Sequence, residues 1–183
     1  MKPHSIHDIL FTREQIQQRV QTLIQQIAAE SSAENLVMIG ILRGSFIFLA
    51  DLVRGFEHHA IHPRIDFITL SSYGSDTQSS GTVRIVHDTE MDLTGADVVI
   101  VDDILDSGRT LAFAQSLFLQ RGARSVRTCV LLDKKVSRAA EIQADYSGFD
   151  IDNVFVVGYG LDYDSHYREL SYIAKVTFTE PGQ

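Results

Sequence analysis

Apolar and polar positions along this chain follow two different periods. Ile16, Val20, Leu23, Ile24 and Ile27 recur at helical spacing with glutamines on the solvated face between them, and Thr12 with Gln15 ahead of them forms a capping box. Leu36 to Leu42 is an unbroken apolar run that reads as a buried strand. Arg43-Gly44-Ser45 is a turn, and Phe46 to Arg54 reads as a helix closing at Gly55. Arg64 to Leu70 is a second strand and Thr82 to His87 alternates like a third. Ser71 to Gly81 between them is rich in Ser, Gly, Asp and Thr and has no period, which marks a functional or disordered loop. After the turn Leu93 to Ala96, the run Val98 to Val101 fits a strand buried on both faces. A helix from Leu111 to Gln120 ends near Gly122, and strands follow at Ser125 to Leu132, Val154 to Val157 and Tyr172 to Phe178. Strands alternating with helices imply right-handed crossovers and a mostly parallel sheet, the α/β class.

Composition narrows the partners. The 183 residues suit one domain, with neither an internal repeat nor a dividing linker, and 44% hydrophobic residues give it a real core. A formal net charge of −8 argues against a nucleic-acid partner, which favours basic surfaces. The single cysteine, Cys129, lies in an apolar run and reads as a buried strand residue, so a disulfide framework or a thiolate cluster is excluded. Met1 to Thr12 lacks a signal-peptide core and no segment has the length of a membrane span, so no membrane partner and a cytoplasmic location are expected.

The candidate chemistry concentrates after Val98. The apolar strand runs into Asp102 and Asp103, then Ile104, Leu105 and a third carboxylate, Asp106, and then Ser107-Gly108-Arg109-Thr110. In open α/β sheets ligands bind outside the carboxyl ends of the strands. Three carboxylates there repel one another and call for a cation or a polar ligand. The Ser-Gly-Arg-Thr stretch supplies hydroxyls, a cation and free N–H groups at a helix start, the chemistry of a phosphate cradle. Acids on one side and an anion hole on the other suit a sugar phosphate. Arg43-Gly44 offers a second anion site at a neighbouring strand end. His58, His59 and His62 sit in a polar connection and read as surface residues. Dinucleotide, P-loop and nucleophile-elbow motifs do not occur.

As a whole string, Val98 to Leu111 resembles the phosphoribosyl pyrophosphate signature of the type I phosphoribosyltransferases. Leu42-Arg43-Gly44-Ser45 is similar to the pyrophosphate loop of the hypoxanthine-guanine members, Ser72-Tyr73-Gly74 to their lid, Phe155 to Tyr163 to their purine-binding segment, and Tyr167-Arg168-Glu169-Leu170 to the stretch bearing a pyrophosphate-contacting arginine. The resemblance runs from Leu42 to Leu170. It implies a single domain over 1–183, with a sheet core flanked by helices at about 34–150 and a small hood from the N-terminal segment and about 151–183. It implies purine salvage: transfer of a phosphoribosyl group from phosphoribosyl pyrophosphate to hypoxanthine, and also guanine, giving IMP or GMP and pyrophosphate, with Mg²⁺ as cofactor and a homo-oligomer, dimer or tetramer, as the assembly.

Residue by residue, the resemblance assigns Asp102 and Asp103 to the ribose hydroxyls and the metal, Asp162 to the metal–pyrophosphate side, and Asp106 to the base role. Ile104, Leu105 and Arg109 line the same loop, and Ser107 to Thr110 anchor the 5′-phosphate. Arg43, Gly44 and Arg168 meet pyrophosphate, with a cis peptide between Leu42 and Arg43. Ser72 and Tyr73 close over the site, excluding water from a glycosyl cation-like intermediate. Lys134, all donor, selects a 6-oxopurine over adenine. Phe155 stacks on the base and the Val156 backbone bonds its edge. Asp102 stands where many relatives carry Glu. Two other classes stay open, a non-catalytic sensor of phosphoribosyl pyrophosphate and a transferase for a pyrimidine or adenine. The retained Asp106, Lys134 and Asp162 speak against the first, and Phe155 with Lys134 against the second.

Overall fold

The structure, a computed structural model, describes residues 3–31, 35–72, 83–136 and 138–178. In chain order the elements are β1 (His4–Phe11), α1 (Arg13–Glu30), β2 (Leu36–Leu42), α2 (Phe46–Gly55), β3 (Arg64–Ser72), β4 (Val83–His87), β5 (Asp97–Leu105), α3 (Arg109–Gln120), β6 (Ser125–Lys134), β7 (Tyr146–Ile151), β8 (Val156–Val157) and β9 (Ile173–Phe178). The large sheet has the order β4-β3-β2-β5-β6-β7. Every pairing in it is parallel except that of β3 with β4. Strands β1, β9 and β8 form a separate antiparallel sheet that joins the two ends of the chain.

The two faces of the large sheet are covered differently. Met38, Val99, Val101 and Leu131 face α1 and α2, where Leu23, Ile24, Ile27, Phe48 and Leu52 are buried. Ile39, Ile68, Val98, Ile100 and Val130 face α3 through Leu111, Ala114 and Phe118. Apolar residues on both faces of β2 and β5 explain why these strands read as unbroken runs rather than alternations. Helix α1 starts as its sequence predicts. The Thr12 hydroxyl accepts from Gln15 N–H and the Gln15 side chain accepts from Thr12 N–H at 2.8 Å.

Several boundaries differ from the sequence reading. Gly55 does not stop α2 in a left-handed conformation; the chain continues into a single 3₁₀ turn at Phe56–His58. Gly55 is needed for packing instead, since a Cβ there would come within 2.0 Å of Ile24 Cδ1 on α1. Strand β5 runs on through Asp102 and Asp103 to Leu105, because Asp102 and Leu105 still pair with Val130 and Asp133 on β6. Helix α3 begins at Arg109, after Gly108 at φ +78°. The sequence reading contains neither β1 nor β7. The Ser71 to Gly81 loop beyond Ser72, including Tyr73 and Gly74, lies outside the described residues.

Candidate active site

Register places the chemistry. Gly40 on β2 pairs with Val101 on β5, so the turn after β2 runs beside Asp102 and Asp103. The Leu42–Arg43 peptide in that turn is cis. Gly44 lies so close to Asp103 that a Cβ on it would fall 1.5 Å from Oδ2. One strand further, Leu105 pairs with Asp133, which brings the next residue of β6, Lys134, beside Asp106. Lys134 Nζ donates to Asp106 Oδ2 at 3.1 Å, with the lysine side chain 12% exposed and the aspartate 55%.

These ends border a cleft of about 340 Å³. Arg43 and Gly44 line one wall, Asp102, Asp103 and Ile104 another, and Asp106 to Gly108 with Thr110 the far end. Asp162 and Arg168 reach it from the segment between β8 and β9. Leu105 also borders the cleft, yet its side chain is buried against the α3 face of the sheet, so its backbone is what faces the opening.

The acidic pair is electrostatically unusual. Asp102 is 7% exposed, and burial first, then the adjacent Asp103, pushes its carboxyl well above the ordinary carboxylate range. Burial raises Asp103 too, while its hydrogen bond to Asp102 and the charge of Arg168 act against the rise. Arg168 also pairs with Asp162 at 2.7 Å and donates to the Gly160 carbonyl at 2.5 Å. A buried pair of carboxyls whose ionisation is opposed by burial, with the Arg168 guanidinium nearby, is arranged to receive positive charge or hydroxyl donors.

At the far end, Gly108 in the left-handed conformation precedes α3, so the first amides of the helix point toward the loop Ser107–Thr110. Arg138, which the sequence reading missed, braces this loop. It pairs with Asp133 at the end of β6 and donates to the Ile142 carbonyl at 2.9 Å. The segment it holds donates two amides, from Ala139 and Ala140, to the Ser107 carbonyl at 3.1 and 3.2 Å. Ile142 packs so near Gly108 that a Cβ there would sit 2.6 Å from its Cγ2. No local sequence signal marks Arg138; only the fold brings it under the loop.

The remaining candidates lie apart from the cleft lining. Arg109 begins α3 but does not border the cleft. Lys134 is not part of the cleft lining but pairs with Asp106, which is. Val156 is buried in β8, and Phe155 beside it stands 44% exposed rather than packed in the core. Ser72 ends β3, paired with Val83. His58 and His62 are exposed, and among the described residues no group of three or more His, Cys, Asp or Glu side chains is gathered to grip a metal unaided.

Comparison with known proteins decides the family. Residues 8–164 match the family described as "Phosphoribosyl transferase domain". The hypoxanthine-guanine phosphoribosyltransferase of Mycobacterium avium is 45% identical over 177 residues, covering 93% of this chain and 86% of that protein. The chain belongs to the phosphoribosyltransferase family. The Bacillus subtilis hypoxanthine-guanine phosphoribosyltransferase is 42% identical over 173 residues, covering 94% of each protein. Among solved structures, a hypoxanthine phosphoribosyltransferase from Staphylococcus aureus superposes with a TM-score of 0.88 at 39% identity, covering 94% of this chain and 92% of that one. This phosphoribosyltransferase therefore has the expected fold class, a mostly parallel sheet flanked by helices.

Proposed function

We propose that this phosphoribosyltransferase is a purine-salvage enzyme that joins hypoxanthine, and guanine, to phosphoribosyl pyrophosphate, giving IMP or GMP and pyrophosphate. The observation that carries the base assignment is the Lys134–Asp106 pair at 3.1 Å. In a 6-oxopurine the carbonyl oxygen and the neighbouring imidazole nitrogen lie side by side on one edge. A donor beside an acceptor reads that edge: Lys134 donates to the oxygen, and Asp106 accepts from the imidazole N–H. Adenine presents an amino group to Lys134 and leaves donor against donor, which costs far more than a missing methylene would.

The reaction forms a bond from the second imidazole nitrogen to the anomeric carbon and breaks the bond from that carbon to pyrophosphate. As the new bond forms, the N–H facing Asp106 becomes acidic and its proton passes to the carboxylate, which acts as general base. The loop Ser107–Thr110 holds the 5′-phosphate through α3 amides and hydroxyls, so binding energy far from the breaking bond positions the carbon. Asp102 and Asp103 take the ribose hydroxyls. Arg168 and the Arg43-Gly44 turn meet the departing pyrophosphate. Ser72 and Tyr73 are assigned to closure over the site, and Phe155 with the Val156 backbone to the base.

Asp102, Asp103 and Asp162 are the candidates that would hold Mg²⁺, one or two of them together with substrate phosphates, and the ion when bound would neutralise charge on the pyrophosphate. The residues fit that ion. Their donors are all carboxylate oxygens, suited to a hard cation, and the lack of a closed cage among the described residues suits an ion held by one or two carboxylates plus substrate phosphates. We also assign a cytoplasmic location. We assign a homo-oligomer as well, supported by exposed Phe46, Ile65, Phe67 and Val86.

The test is a product assay with phosphoribosyl pyrophosphate, Mg²⁺ and, in separate tubes, hypoxanthine, guanine, xanthine, adenine and uracil. IMP with little AMP or UMP is the expected result. No nucleotide in any tube, with phosphoribosyl pyrophosphate still bound, would make the protein a sensor instead.

A further inference from the structure

Phe155 does not stand alone on the surface. Its ring centroid lies 5.6 Å from that of Tyr163 and 5.7 Å from that of Phe178, at interplanar angles of 82° and 66°. Tyr163 and Phe178 meet each other at 5.3 Å and 74°. The three rings close a triangle in which every pair has the preferred edge-to-face geometry. The triangle is tied to the ends of the chain. Phe178 is the last residue of β9 and pairs across the strands with His4, the first residue of β1, whose ring lies 5.0 Å from Tyr163. His4 Nε2 is in turn 2.8 Å from the Tyr167 hydroxyl. The Phe155 backbone is fixed independently, its carbonyl accepting from Val176 N–H on β9 at 2.9 Å.

An exposed phenylalanine with a fixed backbone still has freedom about both side-chain bonds. Two near-perpendicular neighbours remove much of that freedom while leaving the residue 44% exposed. Phe178 is itself 43% exposed, far from the burial that a core aromatic would have, so packing alone does not account for its place. We propose that Phe178 and Tyr163 are positioning residues for the purine base, holding the Phe155 ring at the angle in which its free face receives the base. The proposal rests on the reading of Phe155 as the stacking partner. Strands β1 and β9 thereby act on base affinity without touching the base.

Steady-state kinetics of Phe178→Leu, Phe178→Met, Phe178→Tyr and Phe155→Leu test it, with hypoxanthine and phosphoribosyl pyrophosphate varied in turn. Removing the ring with Leu or Met is expected to raise the hypoxanthine KM about three- to tenfold. The expected kcat stays within about twofold and the phosphoribosyl pyrophosphate KM is unchanged, because the phosphate and acid groups do not move. Phe178→Tyr, which keeps the ring, restores the hypoxanthine KM. An unchanged hypoxanthine KM in both Leu and Met variants overturns the proposal, and so does a matching rise in both KM values, which would mean general loosening of the small sheet. The Phe155→Leu arm separates the two layers. If that variant keeps its hypoxanthine KM, the stacking assignment fails; if it loses affinity while the Phe178 variants do not, only the brace fails.

Discussion

Asp102→Asn is expected to make the protein more stable and a worse enzyme. Asp102 is 7% exposed and lies beside another carboxyl. Ionising a buried group of this kind costs several kcal/mol, and a hydrogen bond to the charged form, here from Asp103 N–H at 3.0 Å, returns about 1.5–3 kcal/mol. A ceiling also applies. At pH 7 the folded state need lose no more than the cost of keeping the proton on, about 4 kcal/mol for a group that titrates near 3.8 when unfolded. A net gain of about 1–3 kcal/mol for the amide follows, or roughly 2–10 °C in Tm for a chain of this size. The sign of the pH dependence is fixed. The carboxyl titrates higher folded than unfolded, so between those two points the folded state binds more protons and wild-type stability falls as pH rises. The advantage of the Asn variant should be small near pH 4.5 and large at pH 8. Chemical denaturation of both proteins at the two pH values, without ligand, measures it. An Asn variant less stable than wild type at pH 8, or a difference equal at both pH values, would refute the argument. In activity assays the same variant should lose catalysis, and Mg²⁺ with phosphoribosyl pyrophosphate should raise its Tm less than that of wild type.

Asp106→Asn should lower kcat by about 10²–10⁴-fold while the phosphoribosyl pyrophosphate Kd, read by calorimetry, changes little; equal losses would reject the general-base role. Gly44→Ala should remove most activity, since its Cβ would lie 1.5 Å from Asp103 Oδ2 and the turn or the carboxylate must shift; kinetics near wild type would contradict the geometry. Gly55→Ala sets a helix-propensity gain of about 1 kcal/mol against overpacking of about 1–3 kcal/mol on Ile24, so denaturation should show a loss that Ile24→Val, which deletes the offending Cδ1, relieves in the double variant. Arg138→Met should raise the phosphoribosyl pyrophosphate KM several-fold with the hypoxanthine KM held, and unchanged kinetics would remove Arg138 from the support of the phosphate loop.

The parts of the fold legible in sequence are those whose local signals agree with their surroundings. Thr12 and Gln15 announce α1 because the cap is made within four residues, and Leu36–Leu42 reads as a strand because both its faces are covered. Strand β1 was not legible. Among the described residues it pairs only with β9, through two register shifts at Ile6/Asp8 and Ile9/Phe11, so its side chains never alternate cleanly. Strand β7 has the sequence Tyr146-Ser-Gly-Phe-Asp-Ile151 at the edge of the sheet. Its Gly148 reads as a break, whereas a Cβ there would meet the Leu131 carbonyl at 2.2 Å, a close approach that only the neighbouring strand reveals. In the candidate site, the acidic signature was visible as a string. That Lys134 pairs with Asp106 follows from the register of Leu105 with Asp133, which no local pattern carries.

Gly160 and Gly44 touch through their backbones. A Cβ on Gly160, already at φ +103°, would fall 2.1 Å from the Gly44 carbonyl oxygen. The gap between the small sheet's connecting segment and the anion-binding turn is thus set by main chain against main chain. Side-chain changes elsewhere in that segment leave this dimension alone, so on the proposed roles residues around Phe155 can vary while the spacing between the turn at Gly44 and the segment bearing Asp162 and Arg168 is kept. Substitutions that alter base choice should accumulate around Phe155 and Lys134 at little cost to the handling of the common sugar donor, whereas any residue but glycine at 44 or 160 would have to rebuild the junction.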